Sequence, residues 1–297
     1  MYKKIYILVV ILLTIGKANA QALMVNSAVQ VWANFDRERG QLTFMSNNED
    51  FCDYYVEITF LEADGFEGMS YNQGISAIVG RGKQQIRIFK TKTGASRYFY
   101  RYRYNTYRGN STKKPNTNFI YALPVSPGNI VTSTIAGASG PGSHLTFDLP
   151  ADTLYACRGG VMCEDNWNAY QSSSGDKSFS PVGLSQITLY HDDGSLSKYV
   201  FYGKPIIYAG QKTKIGNPIA VIEPYLDKYT VHLSIHFLDR NKLRTPFKYG
   251  DFPPFFQTVN EGKIQLKSGG SYTCELTDKM KMQEMSKGQI RKFNKNK

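Results

Sequence analysis

After its opening residues, this 297-residue chain has no apolar run approaching the roughly twenty residues that a bilayer core demands. No cysteine follows the small-residue triplet Ala18-Asn19-Ala20, which argues against a lipid anchor there, and no stretch has convincing helical periodicity. What the chain has instead is 21 Tyr and 17 Phe, with 26 Gly between short apolar runs. That balance favours strands and turns over helices, so an all-β chain is expected.

The one apolar run, residues 5–15, follows Lys3 and Lys4 and closes on Ala18-Asn19-Ala20, the pattern a signal peptidase reads. At about eleven residues it is too short to span, so a mature chain beginning at Gln21 is expected, exported, with no transmembrane segment after cleavage. Lys and Arg exceed Asp and Glu by twelve. On an exported protein that surplus points to anionic polymers of the envelope or to plain solubility, and nucleic acid is not the expected partner. Part of the surplus lies in residues 276–297, which show no core pattern and read as a frayed basic tail.

Two domains are expected. Residues 21–127 carry short alternating segments such as Val29-Gln30-Val31-Trp32 and Gln85-Ile86-Arg87-Ile88-Phe89, broken by Gly and Asn/Asp turns, which read as an Ig-like β-sandwich. Within it, tyrosines at 98, 100, 102 and 104 share one strand face. Covering the sandwich core is the favoured role for that face, ahead of a stacking platform for sugars. The Gly, Ser, Pro and Thr of residues 124–142 have linker composition, placing the boundary near Gly128. A second β domain, residues 128–275, follows. Four cysteines allow three pairings. Cys157 and Cys163, flanking Gly159-Gly160, suit the two arms of a hairpin, and a pairing of Cys52 with Cys274 is held more weakly against both being free and buried.

All four histidines, His144, His191, His232 and His236, fall in the second half, which invites a metal reading. Catalytic zinc takes about three protein ligands, commonly histidine with a carboxylate, and keeps a place for water. His144 and Asp148 stand four apart, with His236 on a later strand. On a straight strand residues four apart are about 13 Å distant, so a shared ion requires His144 to sit on a loop that folds back.

The run His144-Leu-Thr-Phe-Asp148-Leu-Pro150 resembles the HxxxD motif of the M23 (lysostaphin/LytM-type) zinc metallopeptidases. Ile187 to Gly194, Lys198-Tyr199, Gly210 to Ile219 and Ser234-Ile-His236-Phe237 follow in the family's order, so the similarity covers about residues 135–239. The resemblance implies an M23/LytM-like antiparallel β-sheet domain in which His144, Asp148 and His236 bind zinc. It also implies that both catalytic histidine positions are replaced, one by Ser234 and one by Phe201. A serine hydroxyl is too weak a base to take a proton from metal-bound water at neutral pH, and phenylalanine offers no hydrogen bond. His232, on the same strand face as Ser234, and Tyr202, if a bulge turns it inward, are the candidate substitutes. The expected function is a degenerate, exported M23-like protein that binds peptidoglycan or an envelope protein through the former substrate groove. The alternative is an active zinc endopeptidase cutting peptidoglycan cross-links.

Overall fold

Alternation of apolar and polar residues dictates strands along most of the chain. The computed structural model describes residues 28–135, 144–163 and 184–295. The expected signal peptide, residues 1–20, lies outside them.

In the first half run β1 (Val29–Asp36), β2 (Gln41–Asn48), β3 (Tyr54–Asp64), β4 (Gly74–Val79), β5 (Gly82–Lys90) and β6 (Phe99–Arg108). They form two three-stranded antiparallel sheets, ordered β1-β2-β5 and β4-β3-β6. The sheets meet through aromatic rings: Phe44 of one contacts Phe60 and Tyr102 of the other, with centroids 5.7 and 5.0 Å apart. The tyrosine face of β6 turns inward, Tyr102 buried and Tyr100 and Tyr104 packed around it, while Arg101 and Arg103 face solvent. From Tyr100 to Tyr104 it is core, as alternation requires of a strand with one wet face, whereas Tyr98 precedes the strand and is 43% exposed.

The second half contains β7 (Ile120–Tyr121), β8 (Ile130–Ile135), β9 (His144–Leu149), β10 (Thr153–Tyr155), β11 (Gly160–Met162), β12 (Leu184–Tyr190) and β13 (Ser195–Pro205). There follow β14 (Lys212–Thr213), β15 (Pro218–Ile222), β16 (Tyr229–Leu238), β17 (Tyr249–Asp251), β18 (Phe255–Thr258), β19 (Gly262–Ile264) and β20 (Gly270–Thr273). An eleven-stranded sheet has the order β14-β11-β12-β13-β16-β9-β8-β20, with β15 and β10 joined through β13 and with β17 joined to β16. Pairing is antiparallel throughout except for the short β7–β18 contact. At Gly203, φ +133°, β13 leaves β12 and β16 and joins β15. A Cβ there would lie 2.2 Å from the Val221 carbonyl oxygen, so glycine is required at this branch.

Three expectations are corrected by packing. Phe119, Tyr121, Leu123 and Val125 belong to the core of the second half, so the packing boundary falls before Phe119 rather than near Gly128. Within the expected linker, residues 130–135 form β8, paired on both sides with β9 and β20. The basic tail is also structured: α1 (Asp278–Met282), capped by Thr277, buries Met280, and α2 (Lys287–Lys295) follows. Glu284 explains why this segment docks. Its carboxylate is 2.9 Å from the buried Arg158 guanidinium, which also pairs with Asp193 at 3.0 Å and lies over the Phe119 ring. A buried cation needs such partners, and one of them comes from a segment that has almost no apolar pattern of its own.

Candidate functional site

Strand parity divides the large sheet into an inner and an outer face. Odd residues of β16 (Val231, Leu233, Ile235) and of β9 (Leu145, Phe147, Leu149) are buried in the core. Even residues face outward, and the register aligns them in rows: Lys198–Ser234–His144 across β13, β16 and β9, then Val200–His232–Thr146. His232 and His144 are exposed, and Thr146 Oγ1 lies 2.9 Å from His232 Nδ1. One row further, Thr230 Oγ1 donates to Asp148 at 3.1 Å and Lys228 pairs with the same carboxylate at 3.0 Å.

The three expected zinc ligands share this face but do not converge. β9 runs without a bulge from His144 to Leu149, in continuous register with β16. His144 therefore sits on a straight strand rather than a returning loop, and the strand rise puts it about 13 Å from Asp148. Asp148 is already engaged by Lys228 and Thr230. Among the described residues, the one set of three possible ligand atoms within 4.8 Å of one another is Asp50, Cys52 and Cys163. There the two sulfurs are joined as a disulfide, and Asp50 accepts from Tyr54 Oη at 2.8 Å and Arg108 at 2.9 Å. Neither group fits a zinc ion.

Phe201 is corrected too. Being odd on β13 and opposite Val231, it is 1% exposed in the inner core, on the other side of the sheet from Ser234 and His236. Tyr202 reaches the outer face without any bulge, and its ring stacks on Tyr225 at 4.6 Å between centroids, 6° from parallel.

His236 closes the upper end of the outer face, where β17 replaces β9 beside β16 and sets Asp251 opposite it. Tyr249 lies edge-on to its ring at 5.3 Å, and the Tyr249 hydroxyl donates to the Arg108 carbonyl of the sandwich at 3.0 Å. Burial, then the charges of Lys198, His144 and Arg108, push its pKa down to about 4, against a smaller opposing pull from Asp251. His236 is neutral at pH 7. His191 belongs to the inner side: its Nδ1–H donates to the Gly159 carbonyl at 2.6 Å and its Nε2 accepts from the Ser197 hydroxyl at 2.7 Å. Burial and Arg158 depress its pKa to about 3, so it is a neutral structural histidine.

The cysteines pair otherwise than expected. Cys52 is bonded to Cys163, and Cys157 and Cys274 are buried and free. β10 and β11 do not form a hairpin with each other: β10 pairs with β15 and β11 with β12 and β14. Cys157 is thereby turned into the core of the second half, while Cys163 joins the core of the sandwich. The bond ties the sandwich to the sheet beside Tyr190, whose hydroxyl donates to Asp53 at 2.8 Å. The seam is completed by Leu196, which also packs in the sandwich core.

Tyr225 was not singled out in the sequence, and Thr146 and Lys198 stood there only as parts of motifs, not as site residues. Parity counted outward from His232 and His236 identifies the face, but only the register shows which residues of neighbouring strands stand beside them.

Comparisons with known proteins add little. No protein-family model matches the chain, and no curated protein matches its sequence. A solved structure, the M23 metalloprotease pseudoalterin from the deep sea, is similar with a TM-score of 0.31 and 14% identity, over 54% of this chain and 96% of that one. Similarity at that level leaves fold and site to be argued from this chain's own residues.

Proposed function

We propose that the protein is an exported, non-hydrolytic M23-like protein that binds the peptide portion of peptidoglycan along the outer face of its large sheet. The observation that carries this reading is the outer row itself. His144, Thr146, His232 and Ser234 present hydrogen-bonding side chains on a pleated surface, where an extended peptide meets alternate residues in register. The order of the M23-like motifs supports the ligand class. Hydrolysis finds no support in the geometry: the three family ligands stay apart, Ser234 is no base, and Phe201 faces the core. The Cys52–Cys163 bond supports an oxidising compartment, hence export.

Retention of the mature chain by purified sacculi tests the proposal. The wild type should sediment with sacculi, and His144→Ala with His232→Ala should weaken retention several-fold without lowering the melting temperature, since both side chains are exposed. Wild-type protein that stays in solution would overturn the peptidoglycan assignment and leave an envelope protein as partner. Stoichiometric zinc together with release of new peptide termini would instead establish the endopeptidase.

A further inference from the structure

Phe247 is 84% exposed, the most exposed of the large apolar side chains among the described residues. It sits in the loop of residues 239–248, and the loop's own bonding explains why it points outward. Asp239 N–H donates to the Lys248 carbonyl at 2.9 Å and closes the base. A 3-10 turn (Arg240–Lys242) follows, capped by Asp239, whose carboxylate accepts from Asn241 N–H at 2.9 Å. The Thr245 hydroxyl lies 2.8 Å from the Lys242 carbonyl and 2.9 Å from that of Phe247. Lys248 turns inward: it is buried, pairs with Glu57 at 3.1 Å, and its ammonium also donates to the Leu243 and Thr245 carbonyls. Because adjacent residues of extended backbone face opposite ways, pinning Lys248 inside drives Phe247 into solvent, and Pro246 stiffens the approach.

Around this tip the loop carries Arg240, Lys242 and Arg244, all exposed, and the chain has no acidic residue from 240 to 250. An apolar tip inside a cationic collar, held by its own hydrogen bonds before any partner arrives, loses little entropy on docking. We propose that this loop is a membrane-docking element, with Phe247 entering the headgroup–acyl boundary of an anionic bilayer while Arg240, Lys242 and Arg244 meet lipid phosphates. The charge complementarity would serve an anionic polymer equally, but a hydrated polymer has no apolar phase to receive the phenyl ring, so the bilayer is the occupant that uses both features.

The test is co-sedimentation of the full mature chain with vesicles of phosphatidylcholine mixed with phosphatidylglycerol, against vesicles of phosphatidylcholine alone. The wild type should pellet with the mixed vesicles only. Phe247→Ser should weaken that binding roughly tenfold, and Arg240→Gln, Lys242→Gln and Arg244→Gln together roughly a hundredfold. Both variants should melt close to the wild type, because every altered side chain is exposed and the bond lost with Lys242, to the Tyr249 carbonyl at 3.3 Å, lies at the surface. Phe247→Trp should give a blue-shifted emission component on mixed vesicles alone. The proposal is overturned if the wild type pellets with neither vesicle or equally with both. It is overturned as well if Phe247→Ser binds like the wild type, the result expected of a purely electrostatic contact or of binding through the basic C-terminal helix.

Discussion

The two faces of the large sheet are built from the same strands, yet they differ in what a substitution should do. On the inner face Leu145, Phe147, Val231, Leu233 and Ile235 interlock in one core, and Phe201 lies among them at 1% exposure. One residue along each strand, the outer face carries His144, Thr146, His232 and Ser234, wet or half-wet, until the sandwich covers its upper end at Tyr190 and Leu196. The inner face is dictated by packing and tolerates little change. The uncovered part of the outer face is under no such constraint, so its concentration of histidine and hydroxyl groups is open to a chemical explanation.

The largest effect is expected where the sandwich caps the outer face. Replacing Cys52 and Cys163 by serine removes a cross-link closing 111 residues of sequence separation. The loss should be about 4 kcal/mol, read as a lower denaturant midpoint. Next comes a direct contrast of the faces. Phe201→His, which introduces the histidine that the proposed M23 likeness would call for, puts a polar ring into the inner core and should cost about 3 kcal/mol with no gain of peptidase activity. Activity gained by that single change would break the assignment of Phe201 to the inner face.

Acid should separate the faces further. His191 and His236 have folded pKa values of about 3 and about 4, below the ordinary value near 6.5. Between those limits the unfolded chain binds more protons, so their contribution to stability is full above pH of about 6.5 and falls as pH drops toward the folded values. Each histidine adds a slope of up to about 1.4 kcal/mol per pH unit. His236→Gln should therefore flatten the stability–pH curve between pH of roughly 6 and 4 by about one proton while leaving the His191 part in place; an unchanged slope would show that the outer histidine is not held neutral. The smallest effect belongs to Ser234→His, on the half-exposed outer face, which should shift stability by less than about 0.5 kcal/mol. A large loss there would mean that the outer face is packed after all.

Local alternation made much of the fold legible. The all-β class, the sandwich strands, the inward tyrosines of β6 and strands such as β12, β13 and β16 all follow from period-two patterns, because a strand with one dry face writes that face into its sequence. β8 was hidden, since Ile130 to Ile135 lies in a segment of Gly, Ser, Pro and Thr, and so was the docking of the C-terminal segment, which rests on isolated contacts to distant residues: buried Met280, Gln283 bonded to Ile120, and Glu284 paired with Arg158. The candidate site was half legible. Four histidines in one half and the two-residue spacing of His232, Ser234 and His236 mark one strand face, but the motif likeness counted Phe201 onto that face when parity puts it on the other.

By itself the sequence determined which residues alternate, where turns interrupt them and that the histidines gather in the second half, because these depend on neighbours along the chain. Only the tertiary structure decided which strands meet. It paired Cys52 with Cys163 rather than Cys157 with Cys163, held His144 and Asp148 apart on one straight strand, and set His144 beside Ser234. These are contacts between distant segments, fixed by register and by which core each side chain enters, and no local pattern encodes them.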